Sequence, residues 1–333
     1  MQWLKLLVGL ALTFGLANPV FSEVAGQRDS HTAAPSPACN ELFACLTAFR
    51  QDLERLRLIM GEVQPPPLDI GLRNATPYDV YFQALALLQR TNRLAFEFMR
   101  TVEKPLPQPL TPIQLSDALP LVQEAYQVFR DVLAEPQIEA SFALAPPLPA
   151  GSAEVPTTAS ASEAFALLFA LNRQLNLVLE RHFSPSDSYM QVTLAVAYAA
   201  QVLARYPDAV RLPEEPPFEP GKQPTDTYLK LNACLQYLIQ ALHNLGLPAP
   251  VVEPHPLDKA QITPGDVFLL ASLVVSQLDF LQQQLGISKP PRQVFYAGRK
   301  FPADVYQRAG MLQAQLVQLA RQTAAHGAPG AGK

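Results

Sequence analysis

The chain has 333 residues, a formal net charge of −4 and 16% charged residues. The sequence holds no basic cluster, so this composition argues against a nucleic-acid partner and against attraction to an anionic membrane surface. Hydrophobic residues make up 49% of the chain, which is ample for a core. The 33 prolines are roughly twice the usual share and cluster between the apolar runs, so we expect extended connectors between helices.

Residues 1–22 have the pattern of a secretory signal peptide. Lys5 precedes an apolar run from Leu6 to Ala17, and Val20-Phe21-Ser22 offers small residues for cleavage. The run is shorter than a typical membrane span. We therefore expect cleavage near Ser22 and a periplasmic or secreted protein; the alternative is an uncleaved chain that stays anchored to the membrane by its N-terminus. Residues 23–35 lack periodic apolar residues and are expected to form a flexible arm.

A short motif that starts helices recurs along the chain. In Thr76-Pro77-Tyr78-Asp79, the threonine suits the N-cap, the proline suits the first helical position, and the aspartate at N3 faces the positive end of the helix dipole. We expect the motif acids to stabilise helix N-termini and not to act in catalysis. The acids at Asp187, Asp226, Asp266 and Asp304 are 39, 40 and 38 residues apart, which predicts repeats of 38–40 residues.

Apolar residues after each motif acid keep a helical period. Counted from the acid, they recur at +1, +5, +8, +12, +15 and +19, which is one face of an α-helix. This pattern predicts an all-α bundle or array of about eight long helices. In the third helix Gln114 stands in for the motif acid, and Pro120 should kink that helix or delay its start. The predicted helices span residues 37–60, 77–100, 112–134, 161–181, 185–206, 224–245, 264–285 and 302–323.

The longest proline-rich stretch, residues 135–160, separates two groups of predicted helices. We expect it to link an N-terminal region of three helices at 36–134 to a C-terminal region of five repeated helices at 161–324. Residues 325–333 are expected to form a flexible tail.

An aromatic residue stands two positions after the motif acid, or after the residue in its place, in most of the helices. One interpretation is that each ring packs on a connector or a neighbouring helix close to the helix start. The other is that the rings line an interaction groove for a peptide, a glycan or an apolar ligand. The residues are Tyr81, Phe165, Tyr189, Tyr228, Phe268 and Tyr306.

Three cysteines are present, at Cys39, Cys45 and Cys234. Cys234 stands at +8 from Asp226, on the apolar face of its helix, which we call the apolar stripe. It is therefore expected to be a buried, reduced core residue. A bridge between Cys39 and Cys45 would need a non-helical first turn, because a continuous helix places residues six apart on different faces.

The sequence lacks the local motifs of phosphate-binding loops, dinucleotide-binding folds, zinc proteases and serine hydrolases. We therefore predict no catalytic residue, no cofactor-binding residue and no metal ligand. The favoured function is a non-enzymatic exported helical-repeat protein that acts as a cell-envelope scaffold or partner-binding module. The alternative is a periplasmic small-molecule-binding or sensory bundle with its ligand between helices.

The expected partner is thus a protein or a small apolar ligand, with no nucleic acid and no stable membrane span after signal cleavage. The two functions predict different cavities. A large closed apolar pocket favours the small-molecule function, and an elongated exposed apolar groove favours the partner-binding function.

Overall fold

The computed structural model describes residues 37–63, 68, 70–101, 105–107, 112–144, 160–252, 262–292 and 298–326. The predicted signal peptide, the predicted arm and residues 327–333 of the predicted tail lie outside these ranges.

The described residues form α-helices joined by extended connectors, so the all-α prediction is confirmed. A 3₁₀ turn at Leu115–Asp117 precedes the third helix, and two short strands pair antiparallel, with Leu72 opposite Val252. The elements are α1 (Pro37–Ile59), β1 (Leu72–Arg73), α2 (Pro77–Met99), α3 (Ala118–Leu133), α4 (Pro136–Leu144), α5 (Ala161–Val178), α6 (Pro185–Leu203), α7 (Pro224–Asn244), β2 (Val251–Val252), α8 (Pro264–Gln284) and α9 (Pro302–His326).

Capping boxes form the predicted starts of α2, α5, α6, α7 and α8. At α2, Asp79 Oδ2 accepts a hydrogen bond of 2.8 Å from the backbone N–H of Thr76, while the Thr76 hydroxyl faces the N–H of Asp79. The same reciprocal arrangement opens α6 and α8. At α9, Asp304 Oδ2 accepts from the N–H of Phe301 at 2.8 Å. The motif therefore fixes where these helices begin, because it supplies acceptors for their free N–H groups.

Two differences from the predicted helices have local causes. The third helix begins at Ala118, which places Pro120 in the first turn, where its missing N–H costs no hydrogen bond. Asp117 Oδ2 accepts from the N–H of Gln114 at 2.7 Å, so the capping residue there is Asp117 and not Gln114.

The short helix α4 was not predicted; it lies within the stretch 135–160 that was expected to be a linker. Its start combines a proline at the first position with Glu139 in the first turn, and it packs against α1 and α3.

The predicted apolar stripes form the core. On α8 and α9 the first three stripe residues are at most 2% exposed; these are Val267, Ala271 and Val274, and Val305, Ala309 and Leu312. Helix α2 packs against α3, α5 and α8, so helices from both sides of residues 135–160 share one core.

Helix α8 is surrounded by other helices. It packs against α2, α5, α6 and α7. Among the described residues it is the one helix whose length and composition would allow it to cross a membrane, with a mean hydropathy of 1.4, and 94% of that window is buried inside the protein. A buried core helix meets the same criterion.

The connector between α6 and α7 lies along α9. The side-chain amide of Gln307 donates to the carbonyl of Pro216 at 2.8 Å, and that of Gln315 donates to the carbonyl of Arg211 at 2.6 Å. A Cβ on Gly310 would come within 2.8 Å of Pro216 Cγ, so glycine permits the close approach of the connector. The proline-rich connector is thus held as an extended segment of the fold.

Cys234 lies in the core, as its stripe position predicts. It is fully buried, and its Sγ lies 3.8 Å from the carbonyl oxygen of Ala309. Burial raises the pKa of this thiol to about 12, so the reactive thiolate is suppressed. Helix α1 is helical from Pro37 onward, so Cys39 and Cys45 point to different faces of it.

Candidate functional site

The six aromatic residues, for which packing near the helix start and the lining of a groove were the two interpretations, lie at different places in the fold. Tyr81, Phe165, Tyr228 and Phe268 are at most 5% exposed. The Phe165 ring stacks on Phe169 of the same helix, with centroids 6.0 Å apart. Phe268 lines the groove described below.

The other two rings, Tyr189 and Tyr306, are half-buried and contact basic side chains. Arg308 Nε donates to the Tyr189 hydroxyl at 3.2 Å. Lys222 Nζ and Lys230 Nζ lie 4.4 and 3.8 Å from the centroid of the Tyr306 ring. These contacts join α6, α7 and α9, and each ring is packed against cations of neighbouring segments.

A partly open groove lies where α2, α6 and α8 meet two connectors, and we call it the α2–α6–α8 groove. Its volume is about 510 Å³. The lining consists of Phe82, Leu85, Ala86 and Gln89 from α2, Gln191, Leu194 and Tyr198 from α6, Phe268 and Ser272 from α8, and Leu106, Pro107, Lys289, Pro290, Pro291 and Arg292 from the connectors. Most of this surface is apolar or aromatic, with two cations on one connector.

Apart from Phe268, the residues that line this groove were missed by sequence reasoning. Phe82 and Leu85 stand at +3 and +6 from the motif acid of α2, off the stripe at +1, +5 and +8. A second apolar face on an already amphipathic helix is typical of a helix with neighbours on several sides. That second face was the signal that could have pointed to the groove.

Some polar side chains of the groove make hydrogen bonds within the protein, and others do not. Ser272 Oγ donates to the carbonyl of Phe268 at 2.9 Å, and the Tyr198 hydroxyl donates to Asp279. The side-chain amides of Gln89 and Gln191 make no hydrogen bond to any residue that the structure describes. These two amides are therefore available to a bound ligand.

Arg90 supports the groove wall from behind. Its side chain is fully buried, and its guanidinium carbon lies 3.9 Å from the centroid of Phe183 and 5.0 Å from that of Phe268. Arg90 Nη1 donates to Asn172 Oδ1 at 3.2 Å. Burial and then repulsion from Arg93 lower the pKa of Arg90 to about 9. The position of Phe268 in the groove thus depends on a buried cation.

Two capping acids next to Arg90 also form interhelical ion pairs. Arg173 on α5 pairs with Asp266 at 2.7 Å, and Arg93 on α2 pairs with Asp187 at 2.7 Å. Burial alone would raise the pKa of Asp187, but the hydrogen bond and charge of Arg93 outweigh it and hold the pKa below its ordinary value. Each acid therefore starts its own helix and docks that helix to another.

Two further acids are buried where α2 and α6 face α8. Asp79 is fully buried, and its Oδ1 accepts from Ser276 Oγ at 2.6 Å and from Gln277 Nε2 at 2.7 Å. Burial raises the pKa of Asp79, and these hydrogen bonds oppose the rise. Asp279 is 4% exposed and accepts from Gln283 Nε2 at 2.6 Å. Burial raises the pKa of Asp279 from its ordinary value of 3.8 to about 6.

This raised pKa predicts that stability falls as pH rises from about 4 to about 6. In that window the folded protein keeps the proton on Asp279, whereas the unfolded chain has lost it, so the loss amounts to about 3 kcal/mol. Asp279→Asn should remove this loss and unfold at higher denaturant concentration than the parent at pH 7. Urea unfolding followed by circular dichroism between pH 4 and pH 7.5 measures the effect.

The exposed acid Asp131 provides the control for this experiment. Asp131→Asn should keep the pH dependence of the parent protein. A parent-like slope in Asp279→Asn would show that another group, such as Asp79, causes the dependence.

A second cavity, of about 390 Å³, lies at the C-terminal ends of α1, α2 and α5. His182, Glu62, Glu97 and Glu180 are among its lining residues. The Glu97 carboxylate accepts from the backbone N–H groups of Glu180 and Arg181, both at 2.9 Å, so it holds the chain that follows α5. Within the described ranges, no group of three or more His, Cys, Asp or Glu residues is placed to hold a metal ion.

No protein-family model, no curated protein and no solved structure matches this chain.

Proposed function

We propose that the protein is a non-enzymatic binding protein and that the α2–α6–α8 groove holds a small apolar ligand. The observation that carries the proposal is the groove itself. It has a volume of about 510 Å³, and its walls consist mainly of aromatic and aliphatic side chains. Small-molecule sites usually have volumes of roughly 300–1,000 Å³ and a few polar groups among apolar ones. The amides of Gln89 and Gln191 supply such polar groups.

The proposed setting is the periplasm or the exterior of the cell, on the basis of the signal-peptide pattern of residues 1–22. The non-enzymatic character rests on the sequence, which lacks the local motifs of phosphate-binding loops, dinucleotide-binding folds, zinc proteases and serine hydrolases.

Dye binding tests the proposed function. The neutral apolar dye N-phenyl-1-naphthylamine should bind the protein saturably, with a rise in fluorescence. Leu194→Glu places a carboxylate in the wall of the groove and should weaken dye binding by about tenfold or more, because the charge must lose water when the dye binds. Gln191→Phe, which narrows the groove without adding charge, should weaken binding as well.

Leu229 on α7 provides the matched control, since it is 40% exposed and lies outside the groove. Leu229→Glu should bind the dye like the parent protein. Circular dichroism melts establish that the variants are folded. Absence of saturable binding, or equal binding by all variants, would contradict a ligand site in this groove.

A scaffold or partner-binding module is the second candidate. The observations in its favour are the open side of the α2–α6–α8 groove and the repetition of α6 to α9, which begin at Pro185, Pro224, Pro264 and Pro302. Proteins built from repeated helical units commonly present extended binding surfaces, although here α6 and α7 pack against α8 and α9 as a bundle. A parent protein that does not bind the apolar dye would favour this second function over the first.

A further inference from the structure

The charges around the α2–α6–α8 groove have one sign. Lys289 and Arg292 line it, and among its described lining residues there is no Asp or Glu. Both side chains are exposed, and neither forms an ion pair with any residue in the described part of the chain. One acid, Asp279, is tied to the lining: it accepts a hydrogen bond from the hydroxyl of Tyr198. The groove therefore combines an apolar interior with a positive edge.

The backbone between the two cations is restricted. Pro290 and Pro291 separate Lys289 from Arg292, and each proline fixes its own φ near −65°. Consecutive prolines favour an extended helix of three residues per turn, in which residues three apart lie on the same side. This geometry explains why both cations reach the groove, and it lowers the entropy lost when they bind one ligand group.

We propose that the ligand of this groove is an amphiphile with one carboxylate head group, such as a medium-chain fatty acid. Its hydrocarbon chain would lie against Phe82, Leu85 and Leu194, and its carboxylate would bind Lys289 and Arg292. This inference rests on the proposed function, since it names the class of ligand for the same site. Charge complementarity is the argument for the carboxylate, because an anion meets two cations that have no acidic partner at the groove.

The size of the effect follows from the exposure of the two cations. Ion pairs in contact with solvent are weak individually, so the carboxylate should bind about threefold to tenfold more tightly than an uncharged analogue. Salt should reduce this preference, because mobile ions screen exposed charges.

Competition with the neutral dye N-phenyl-1-naphthylamine tests the inference. Dodecanoate, 1-dodecanol and dodecylammonium are compared at pH 7.5, below their micelle concentrations and at low and high sodium chloride. The parent protein should bind dodecanoate most tightly and dodecylammonium least, and the spread should shrink at high salt. The double variant Lys289→Gln/Arg292→Gln should lose the preference for dodecanoate and keep the affinity for 1-dodecanol.

A control variant removes the same total charge elsewhere. Arg181 and Arg321 are exposed and lie outside the groove lining, so Arg181→Gln/Arg321→Gln should keep the preference of the parent protein. Equal affinity of the parent for all three compounds would overturn the carboxylate inference but leave the binding function standing. A preference that survives in Lys289→Gln/Arg292→Gln would also overturn it, whereas failure of every compound and of the dye to bind would count against the proposed function itself.

Discussion

Asp266→Ala should lower the free energy of unfolding by about 3–5 kcal/mol. The carboxylate pairs with Arg173 at 2.7 Å, and the two side chains are 2% and 8% exposed. Loss of the carboxylate leaves the Arg173 guanidinium, which is largely shielded from water, without this counter-charge. The substitution also removes the hydrogen bonds from Thr263 that cap α8. Urea unfolding at pH 7 measures the change.

Asp304→Ala is the matched control, because Asp304 holds the same capping position at α9 and has no ion pair within the described ranges. Its loss should cost about 0.5–2 kcal/mol, the usual contribution of a cap and a helix-dipole charge. Equal losses in the two variants would mean that the Arg173–Asp266 pair adds no net stability. The double variant Arg173→Met/Asp266→Ala should be more stable than Asp266→Ala, since it removes the buried cation together with its partner.

Arg90→Ala should also be strongly destabilising, by about 3–5 kcal/mol, whereas Arg90→Met should cost less than about 1.5 kcal/mol. The alanine leaves a cavity beside Phe183 and Phe268, and the methionine fills it. The charge itself is poorly compensated: Nε has no hydrogen-bond partner among the described residues, and the bonds to Ala86 and Gly265 are long, at 3.4 Å. Replacement of such a buried charge by an apolar side chain of similar size is often close to neutral.

Thermal and urea unfolding of both Arg90 variants measure the change in stability. Binding of N-phenyl-1-naphthylamine shows whether Phe268 keeps its position in the groove wall. If Arg90→Met is as unstable as Arg90→Ala, then the charge and its hydrogen bonds stabilise the fold more than the volume of the side chain does.

The helices could be predicted from the sequence because their signals are local. The signals are a capping acid, a proline at the first helical position and apolar residues spaced three or four apart. All of them lie within the length of a single helix. The two misses are local as well: Asp117 and not Gln114 caps the turn before α3, and the helical residues of α4 were hidden in a stretch rich in proline.

The pairing of helices could not be predicted in the same way. Asp187 and Asp266 carry the same motif as Asp304, yet the arginines that meet them come from α2 and α5 at positions that follow no repeat. The groove needs three helices and the connector that carries Lys289 and Arg292. Proline content indicates that such a connector is extended, but not which helices it will cross.

The hydrogen bonds of Asp79 set a limit on when this protein can finish folding. Gln277, which donates to its carboxylate, follows it by 198 residues in the chain. At synthesis rates of about 5–20 residues per second, roughly 10–40 s pass between the appearance of the acid and that of its partner. Until then the carboxylate of Asp79 lacks the partner that it has in the folded protein. The surface of α2 that α8 will cover also remains exposed to water. The packing of α2 against α8 must therefore wait until synthesis has passed Gln277, whereas its packing against α3 and α5 needs no residue beyond α5.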